Sequence, residues 1–281
     1  MTVRTELAAL ADRWRDDLAA WAIPDEILAA VSASPWATSP ALFARRADAE
    51  LRAPRGPSVG RALEALPPGG SVLDVGAGAG AAGLPLAVAR GAELLAIDLS
   101  ADMLDELAER AATHGIRTRL LRGRWPDVAD ASCMADVAVC KDVVYNVPEL
   151  PAFFAALTAH ARRRVVVELT ERHPMAPLNP LWLRLHGLRR PDRPTAADAY
   201  AIAATMGLRP RAERWIRATH GPYGTFDELV DVARTRLCLP AERAGDVAAA
   251  LRDLGTDPAE PYLPGTRNRA AVTLWWAGKG G

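Results

Sequence analysis

A run of alternating glycines, flanked by two carboxylates, is the part of the sequence with the clearest chemical meaning. The glycine run 76–80 follows a short apolar stretch that contains Asp74. Glycines after a buried strand let the chain turn sharply and let a ligand approach the backbone, and the next helix presents free N–H groups. A second apolar stretch ends at Asp98, 22 residues after Gly76, a spacing typical of a carboxylate that accepts hydrogen bonds from a ribose diol. Residues 72–98 therefore predict a βαβ unit that binds a cofactor containing adenosine.

Two kinds of cofactor fit these glycines. Gly78–Gly83 matches the dinucleotide pattern G-x-G-x-x-G, whereas Gly76–Gly80 matches the G-x-G-x-G of class I S-adenosylmethionine (SAM) methyltransferases. Asp74 favours SAM, because a carboxylate at a strand end attracts a sulfonium or an ammonium, whereas a turn that binds pyrophosphate favours anions. The alternative is that Asp74 only caps the glycine turn by accepting hydrogen bonds from its backbone.

The elements that must position these groups alternate between strand and helix. This alternation predicts a doubly wound, Rossmann-like α/β fold with a mostly parallel seven-stranded sheet and an antiparallel last strand. Two late strands, over 211–219 and 270–276, are expected to form an antiparallel hairpin at the sheet edge. Because ligands bind at the carboxyl ends of parallel strands, the polar residues that follow the strands should meet at one edge. Those residues are Asp74, Asp98, Gly123, Lys141 to Asn146 and Glu168 to His173.

The remaining segments suggest a division of the chain into two parts. Residues 1–66 read as helices that either pack on the sheet or form a lid, with Trp36, Phe43 or Arg46 facing the pocket. Residues 67–281 form the predicted SAM-binding domain, with an irregular, proline-rich insertion at 174–194.

Three segments together resemble the motifs of class I SAM-dependent methyltransferases, in particular bacterial proteins with a methyltransferase domain. Residues 72–80 resemble the first motif, residues 95–100 with Met103 the acidic second motif, and residues 136–148 the fourth. The resemblance covers roughly residues 70 to 220 and implies methyl transfer with SAM as the cofactor. The implied cofactor contacts are Asp74, Gly76, Gly78, Gly80, Asp98, Leu99, Met103, Gly123, Arg124, Trp125 and Lys141.

The resemblance also implies what several of these residues do. The glycines would line the methionine and ribose, Asp98 would accept hydrogen bonds from the ribose hydroxyls, and Leu99 would pack on the adenine. The family often has an acid after the third strand to bind the adenine amino group, but Arg124 stands there in this sequence. Trp125 would compensate by stacking on the adenine.

Catalytic residues are not assigned by the sequence. Methyl transfer is an in-line displacement that depends on alignment and exclusion of water, and needs a base only if the acceptor does. Cys140 is not followed by proline and residues 144–148 lack a paired proline, unlike enzymes that methylate cytosine C5 or nucleic-acid amino groups. Each acceptor-side candidate also has an ordinary structural explanation, as a turn former, a loop-ordering carboxylate or a surface residue. The candidates are Asp142, Tyr145, Asn146, Glu168, Glu171, His173 and His186.

Composition limits the class of acceptor. A formal net charge of zero argues against non-specific nucleic-acid binding, and three cysteines without metal spacing suit a cytoplasmic protein without a metal. No apolar run could span a membrane, and charges near the start exclude a signal peptide. The sequence does not indicate an oligomeric state.

Four functions stay open, and methyl transfer to a small molecule is preferred. The second is a tRNA, rRNA or protein methyltransferase that uses an arginine patch made of Arg162 to Arg164, Arg189, Arg190 and Arg193. The others are a non-catalytic SAM-binding protein and, last, an NAD-linked dehydrogenase.

Overall fold

One seven-stranded sheet organises the computed structural model, which describes residues 2–29, 31, 35, 40–218 and 223–280. The strands are β1 (Ser71–Val75), β2 (Glu93–Asp98), β3 (Thr118–Arg122), β4 (Ala135–Lys141), β5 (Ala161–Thr170), β6 (Arg211–Ala218) and β7 (Asn268–Ala277). They lie in the order β3-β2-β1-β4-β5-β7-β6, and every neighbouring pair is parallel except those of β7, which is antiparallel to both β5 and β6. The predicted mostly parallel sheet with a reversed last strand is confirmed.

Strand β1 lies at the centre, between β2 and β4, and its residues from Val72 onward are buried on both faces. The chain leaves β1 toward β2 and β3 on one side and later returns to build β4 on the other. Such a reversal of strand order opens a crevice at the carboxyl ends of the two central strands, which is where doubly wound folds bind ligands.

Eleven helices are found among the described residues. They are α1 (Val3–Ala19), α2 (Asp25–Ala29), α3 (Pro40–Arg52), α4 (Pro57–Leu63), α5 (Gly83–Arg90), α6 (Ala101–Thr113), α7 (Leu150–His160), α8 (Asn179–His186), α9 (Ala196–Thr205), α10 (Phe226–Arg236) and α11 (Ala244–Asp253). Helices α4, α5 and α6 cover one face of the sheet, and α1, α7 and α9 cover the other. None of the described helices is both long and apolar enough to cross a bilayer.

The N-terminal segment does not form a separate layer. Helix α1 packs on one face of the sheet, where the indole of Trp14 donates a 2.8 Å hydrogen bond to the carbonyl of Val147, whereas α4 packs on the opposite face. Helix α3, between them, packs on α5 and α6, with Ala47 buried against Ala79 and Met103. The first 66 residues therefore wrap around the sheet and pass over the glycine run. Trp36 lies outside the described residues.

A second cluster of helices, the cap, is built from segments far apart in the sequence. It consists of α8, α10 and α11, with Ile23, Ile27 and Leu28 from the N-terminal segment packed against them. The insertion at 174–194 is thus partly helical, because residues 179–186 form α8. Helices α10 and α11 also separate β6 from β7, so these antiparallel strands are not joined by a tight hairpin. Thr219, the predicted end of β6, lies outside the described residues.

Candidate active site

A cavity of about 1190 Å³ opens at the carboxyl edge of the sheet, where the sequence predicted the site. It is bordered by the glycine run, the ends of β4 and β6, helix α3 and part of the cap. Pockets for a single drug-sized ligand usually measure about 300–1,000 Å³. The cavity therefore has room for a cofactor and a second molecule.

The glycine turn borders this cavity, and three of its positions have backbone conformations that favour glycine. Gly76, Gly78 and Gly80 have φ angles of 72°, 51° and 96°, in the left-handed region that favours glycine. A Cβ at Gly76 would also lie 2.3 Å from Cγ2 of Val143. The backbone of the turn is thus bare on the side from which a ligand would approach.

Asp74 lies buried beneath the turn and has two different oxygens. Its Oδ2 accepts a 2.7 Å hydrogen bond from the backbone N–H of Gly83, whereas its buried Oδ1 has no partner among the described residues. Burial raises the pKa of Asp74 to about 7, with the Gly83 N–H opposing this rise and the charge of Asp98 adding to it. One oxygen therefore caps the turn, as the alternative interpretation proposed. The other is a buried acceptor that a nearby cationic group would stabilise.

Asp98 ends β2 next to the turn. Its Oδ2 accepts from the N–H of Gly78 at 2.8 Å and its Oδ1 from the N–H of Ser100 at 2.9 Å. Each oxygen of Asp98 has a second lone pair, so each can still accept a hydrogen bond from a ribose hydroxyl. Leu99 follows with 58% of its surface exposed, whereas Met103 is buried against α3. The proposed adenine and ribose contacts of these residues stay predictions.

The segment after β3 departs from the expectation. Gly123 is required because a Cβ there would lie 2.1 Å from Cγ1 of Val128, and Arg124 is exposed. Trp125 is only 7% exposed and packs edge-on against His160, at a centroid distance of 5.0 Å, within the core. A ring enclosed in this way has no free face for an adenine, so the predicted stacking of Trp125 does not fit the structure.

A buried ionic network joins the ends of β4, β5 and β6. Oε1 of Glu168 lies 3.4 Å from Nζ of Lys141 and 3.0 Å from Nη1 of Arg217. Its Oε2 accepts a hydrogen bond from the hydroxyl of Ser58, and Lys141 also pairs with Glu50 at 2.9 Å. Glu168, with 3% of its side chain exposed, is thus fully engaged behind the cavity wall. It is an anchor for two cations and not a free base.

Asp142 and Tyr145 line the cavity but are both engaged. Asp142 forms a bidentate pair with Arg217 at 2.8 and 3.2 Å; burial raises its pKa, but the guanidinium outweighs this and holds the pKa below its usual value. The hydroxyl of Tyr145 donates to the carbonyl of Thr170 at 2.7 Å, and burial raises its pKa well above its usual value. Neither group is a ready base near neutral pH, since one is a weakly basic carboxylate and the other a protonated phenol.

His173 and Asn146 offer hydrogen-bonding groups to the cavity. Nδ1 of His173 accepts from the N–H of Met175 at 3.2 Å, and the ring stacks on Trp21 at 3.9 Å. Burial lowers the pKa of His173 to about 3, with the charges of Arg269 and Arg190 adding to the effect. A neutral ring that accepts at Nδ1 must carry its proton at Nε2, so His173 is a donor and not a base. The exposed amide of Asn146 has no side-chain hydrogen bond among the described residues.

The other sequence candidates lie elsewhere. Glu171 pairs with Arg214 at the exposed surface, and His186 stacks on Trp182 inside the cap. The sequence interpretation missed many side chains that line the cavity, among them Trp21, Trp215, Arg236 and Arg269. In the sequence they are isolated arginines and tryptophans in amphipathic segments, with no motif to single them out. Phe43 and Arg46, named as possible lid residues, do line the cavity.

Comparisons with known proteins agree with this geometry. Residues 72–164 match the family model described as a methyltransferase domain. Among solved structures, the chain is similar to the YcgJ protein from Bacillus subtilis, with a TM-score of 0.54 and 16% identity over 80% of this chain and 99% of that one. It is also similar to a SAM-dependent methyltransferase from Thiobacillus denitrificans in complex with S-adenosyl-L-homocysteine, with a TM-score of 0.50 and 16% identity over 79% of this chain and 91% of that one. No curated protein matches the chain.

At such identities the structural likeness shows the fold alone, and the family match covers residues 72–164, about a third of the chain. Match and fold together confirm the resemblance to class I SAM-dependent methyltransferases.

Proposed function

We propose that the protein transfers a methyl group from SAM to a small molecule bound in the cavity. The observation that carries this proposal is that the glycine turn, whose backbone is held by Asp98 and which lies over Asp74, borders a cavity with room for a second molecule. The cofactor end suits SAM because the turn is bare and the unpartnered oxygen of Asp74 lies beneath it. Bound SAM would supply a methyl group on a sulfonium; a lone pair of the acceptor would bond to the methyl carbon as the C–S bond breaks in line, with S-adenosyl-L-homocysteine as the leaving group.

The residues of the chain would act mainly by alignment. Asp98 would hold the ribose, and Asn146 and the Nε2–H of His173 would orient the acceptor by hydrogen bonds. Because Glu168, Asp142 and Tyr145 are all engaged, the acceptor would bring its own reactive lone pair. Positioning and exclusion of water can supply much of the acceleration in such a displacement.

An NAD-linked function is disfavoured by a single contact. In a dinucleotide site the N–H groups at the start of the first helix bind the pyrophosphate. Here the N–H of Gly83 donates to the carboxylate of Asp74, and a second negative charge at that position would be repelled.

A nucleic-acid substrate is disfavoured by the positions of the arginines proposed as a patch. Arg162 to Arg164 lie at the amino end of β5, at the sheet edge opposite the cavity, and Arg164 pairs with Glu64 at 2.8 Å. Arg193 pairs with Asp17 and Asp198, whereas Arg190 donates to the carbonyls of Trp21 and Ala22. The six residues therefore do not form one continuous basic surface beside the cavity.

Incubation with radiolabelled SAM tests the proposal. Cell extract separated into metabolites, RNA and protein should show label in the metabolite fraction, and Asp98→Ala should remove most of it. Label in RNA or protein instead would establish the macromolecular alternative. Binding of SAM without label in any fraction would establish a non-catalytic SAM-binding protein.

A further inference from the structure

The charges that line the cavity differ from those of the whole chain. The chain has a formal net charge of zero. In the part of the chain that the structure describes, eight cationic side chains but only two carboxylates, those of Glu50 and Asp142, border the cavity. The cations are Arg45, Arg46, Arg52, Arg55, Lys141, Arg217, Arg236 and Arg269.

Part of this positive charge is balanced within the protein. Lys141 and Arg217 pair with Glu50, Asp142 and Glu168. Another cation, Arg45, pairs with Glu228 at 2.5 Å. These contacts balance three of the eight cations.

Three of the other arginines that line the cavity lack a carboxylate partner. Arg46 on α3, Arg236 on α10 and Arg269 on β7 have no carboxylate within ion-pair distance among the described residues. Arg269 donates only to the carbonyls of His173 and Pro174, at 3.2 and 2.9 Å. Guanidinium groups that share one cavity without counter-charges attract an anion, so this arrangement favours an anionic ligand.

The guanidinium groups also converge. The register of β6 and β7 places Arg217 directly opposite Arg269, and like charges in such cross-strand positions are destabilising. Burial lowers the pKa of Arg269 to about 10. The charge of Asp142 opposes this decrease, and the charges of Arg217 and Arg46 add to it. The pKa of Arg46 is also lowered, because the surrounding protein reduces the hydration of a side chain that is exposed to the cavity; the charges of Tyr223 and Asp142 oppose this, and those of Arg236 and Arg217 add to it. Three separate elements therefore direct positive charge into one region.

Aromatic rings line the same cavity as the arginines. Phe43 and Trp215 are partly exposed there, whereas Trp21 and Tyr223 also border the cavity but are buried, and Trp21 is already stacked on His173. Rings of this kind bind a flat apolar body, whereas a planar guanidinium binds carboxylate or phosphate oxygens, often in a bidentate manner.

We propose that the acceptor is an anionic small molecule, with a planar apolar body between the rings and a carboxylate or phosphate group bound by Arg46, Arg236 and Arg269. The role of this ligand as acceptor rests on the proposed methyl transfer, whereas its binding does not. A negative acceptor would also offset the positive charge that the sulfonium of SAM brings into the cavity.

Binding of simple probes to protein saturated with S-adenosyl-L-homocysteine tests the inference. In calorimetry, 1-naphthoate and naphthyl phosphate should bind at least about tenfold more tightly than the neutral 1-naphthamide. The tighter of the two anions then distinguishes a carboxylate ligand from a phosphate ligand. Equal affinity of the naphthamide and both anions would overturn the inference.

Charge-removing variants locate the site. Arg46→Gln and Arg236→Gln should each weaken binding of the tighter anion by about tenfold to a hundredfold, whereas Arg46→Lys should retain part of the affinity. The matched control is Arg189→Gln, which removes an exposed arginine outside the cavity and should change nothing. Anion affinity that is equal in all four variants and the wild type would overturn the assigned site.

The two proposals fail in different ways. Binding of S-adenosyl-L-homocysteine without any preference for anions overturns only the inference about the acceptor. Preference for anions without binding of S-adenosyl-L-homocysteine, measured on the free protein, overturns the proposed methyl transfer and leaves the anion site. Thermal melting of each variant confirms that it is folded.

Discussion

Oδ2 of Asp98 accepts a hydrogen bond from the backbone N–H of Gly78 at 2.8 Å, which links the end of β2 to the glycine turn after β1. The second oxygen of Asp98 accepts from the N–H of Ser100, the N-cap residue of α6. The carboxylate of Asp98 thus holds both the glycine turn and the start of α6. Its remaining lone pairs lie beside these two segments.

Replacing Asp98 with alanine should weaken SAM binding by roughly tenfold to more than a hundredfold. The physical reason is the loss of charge-assisted hydrogen bonds to the ribose, each worth about 1.5–3 kcal/mol. The loss of acceptors for Gly78 and Ser100 should also lower the melting temperature, by about 2–4 °C for each kcal/mol lost. Asp98→Asn should lie between wild type and alanine in calorimetry. A lower melting temperature with unchanged SAM affinity would mean that Asp98 is only structural.

The titration of Asp74 should make the free protein less stable as pH rises. Its pKa of about 7 in the folded protein lies above the unfolded value of about 3.9. Between these two values the folded state holds a proton that the unfolded state has released. Stability is therefore lost as pH rises from about 4 to 7, by up to roughly 4 kcal/mol.

Asp74→Asn isolates this contribution. Asparagine still accepts from the N–H of Gly83 but does not titrate. The melting temperature of the variant relative to wild type should therefore be higher at pH 8 than at pH 4.5. Melting curves that shift in parallel over this range would contradict the raised pKa.

Glu168→Gln should destabilise the free protein strongly. The change removes the buried carboxylate that Lys141 and Arg217 share and leaves them only Glu50 and Asp142, so the loss should approach the roughly 3–5 kcal/mol of a broken buried ion pair. The control is Glu171→Gln, which removes an exposed pair with Arg214 and should cost less than about 1 kcal/mol. Urea unfolding measures both. Equal losses in the two variants would contradict the anchoring role of Glu168.

Helix α3 should become more protected when cofactor binds. Phe43 lies 4.0 Å from the position that a Cβ of Gly78 would take, and Asp48 ties the helix to Arg110 at 2.7 Å. A helix lying over the turn should open less often once a ligand is enclosed beneath it. Amide exchange across residues 43–50 should slow about tenfold or more with S-adenosyl-L-homocysteine, while α11 stays unchanged. Unaltered exchange in α3 would contradict the lid.

Local patterns made the cofactor end of the site predictable. Glycines after an apolar strand, and a carboxylate at the end of the next, have a fixed meaning in a parallel sheet, so the convergence of Gly76, Gly78 and Asp98 followed from spacing. The direction of a side chain after a strand does not follow in this way. Trp125 stands where an adenine contact was expected, yet its ring packs on His160, which is distant in the sequence.

The acceptor end depends on contacts that no local pattern reveals. Arg217 and Arg269 meet because β7 enters the sheet antiparallel between β5 and β6. Arg236 lines the same cavity because it lies on α10, and α10 belongs to the cap that borders the cavity. The partners of Glu168 likewise come from β4, β6 and α4, so its role as an anchor appears only when the sheet is assembled.

Calorimetric titration of the free protein with SAM, S-adenosyl-L-homocysteine, NAD and NADP tests the central claim most directly. The two sulfur compounds should bind saturably at one site, since the glycine turn, Asp74 and Asp98 suit a cationic cofactor with a ribose diol. Neither nicotinamide dinucleotide should bind, because the carboxylate of Asp74 occupies the N–H that a pyrophosphate would need. Saturable binding of NAD or NADP with no response to SAM would contradict the account.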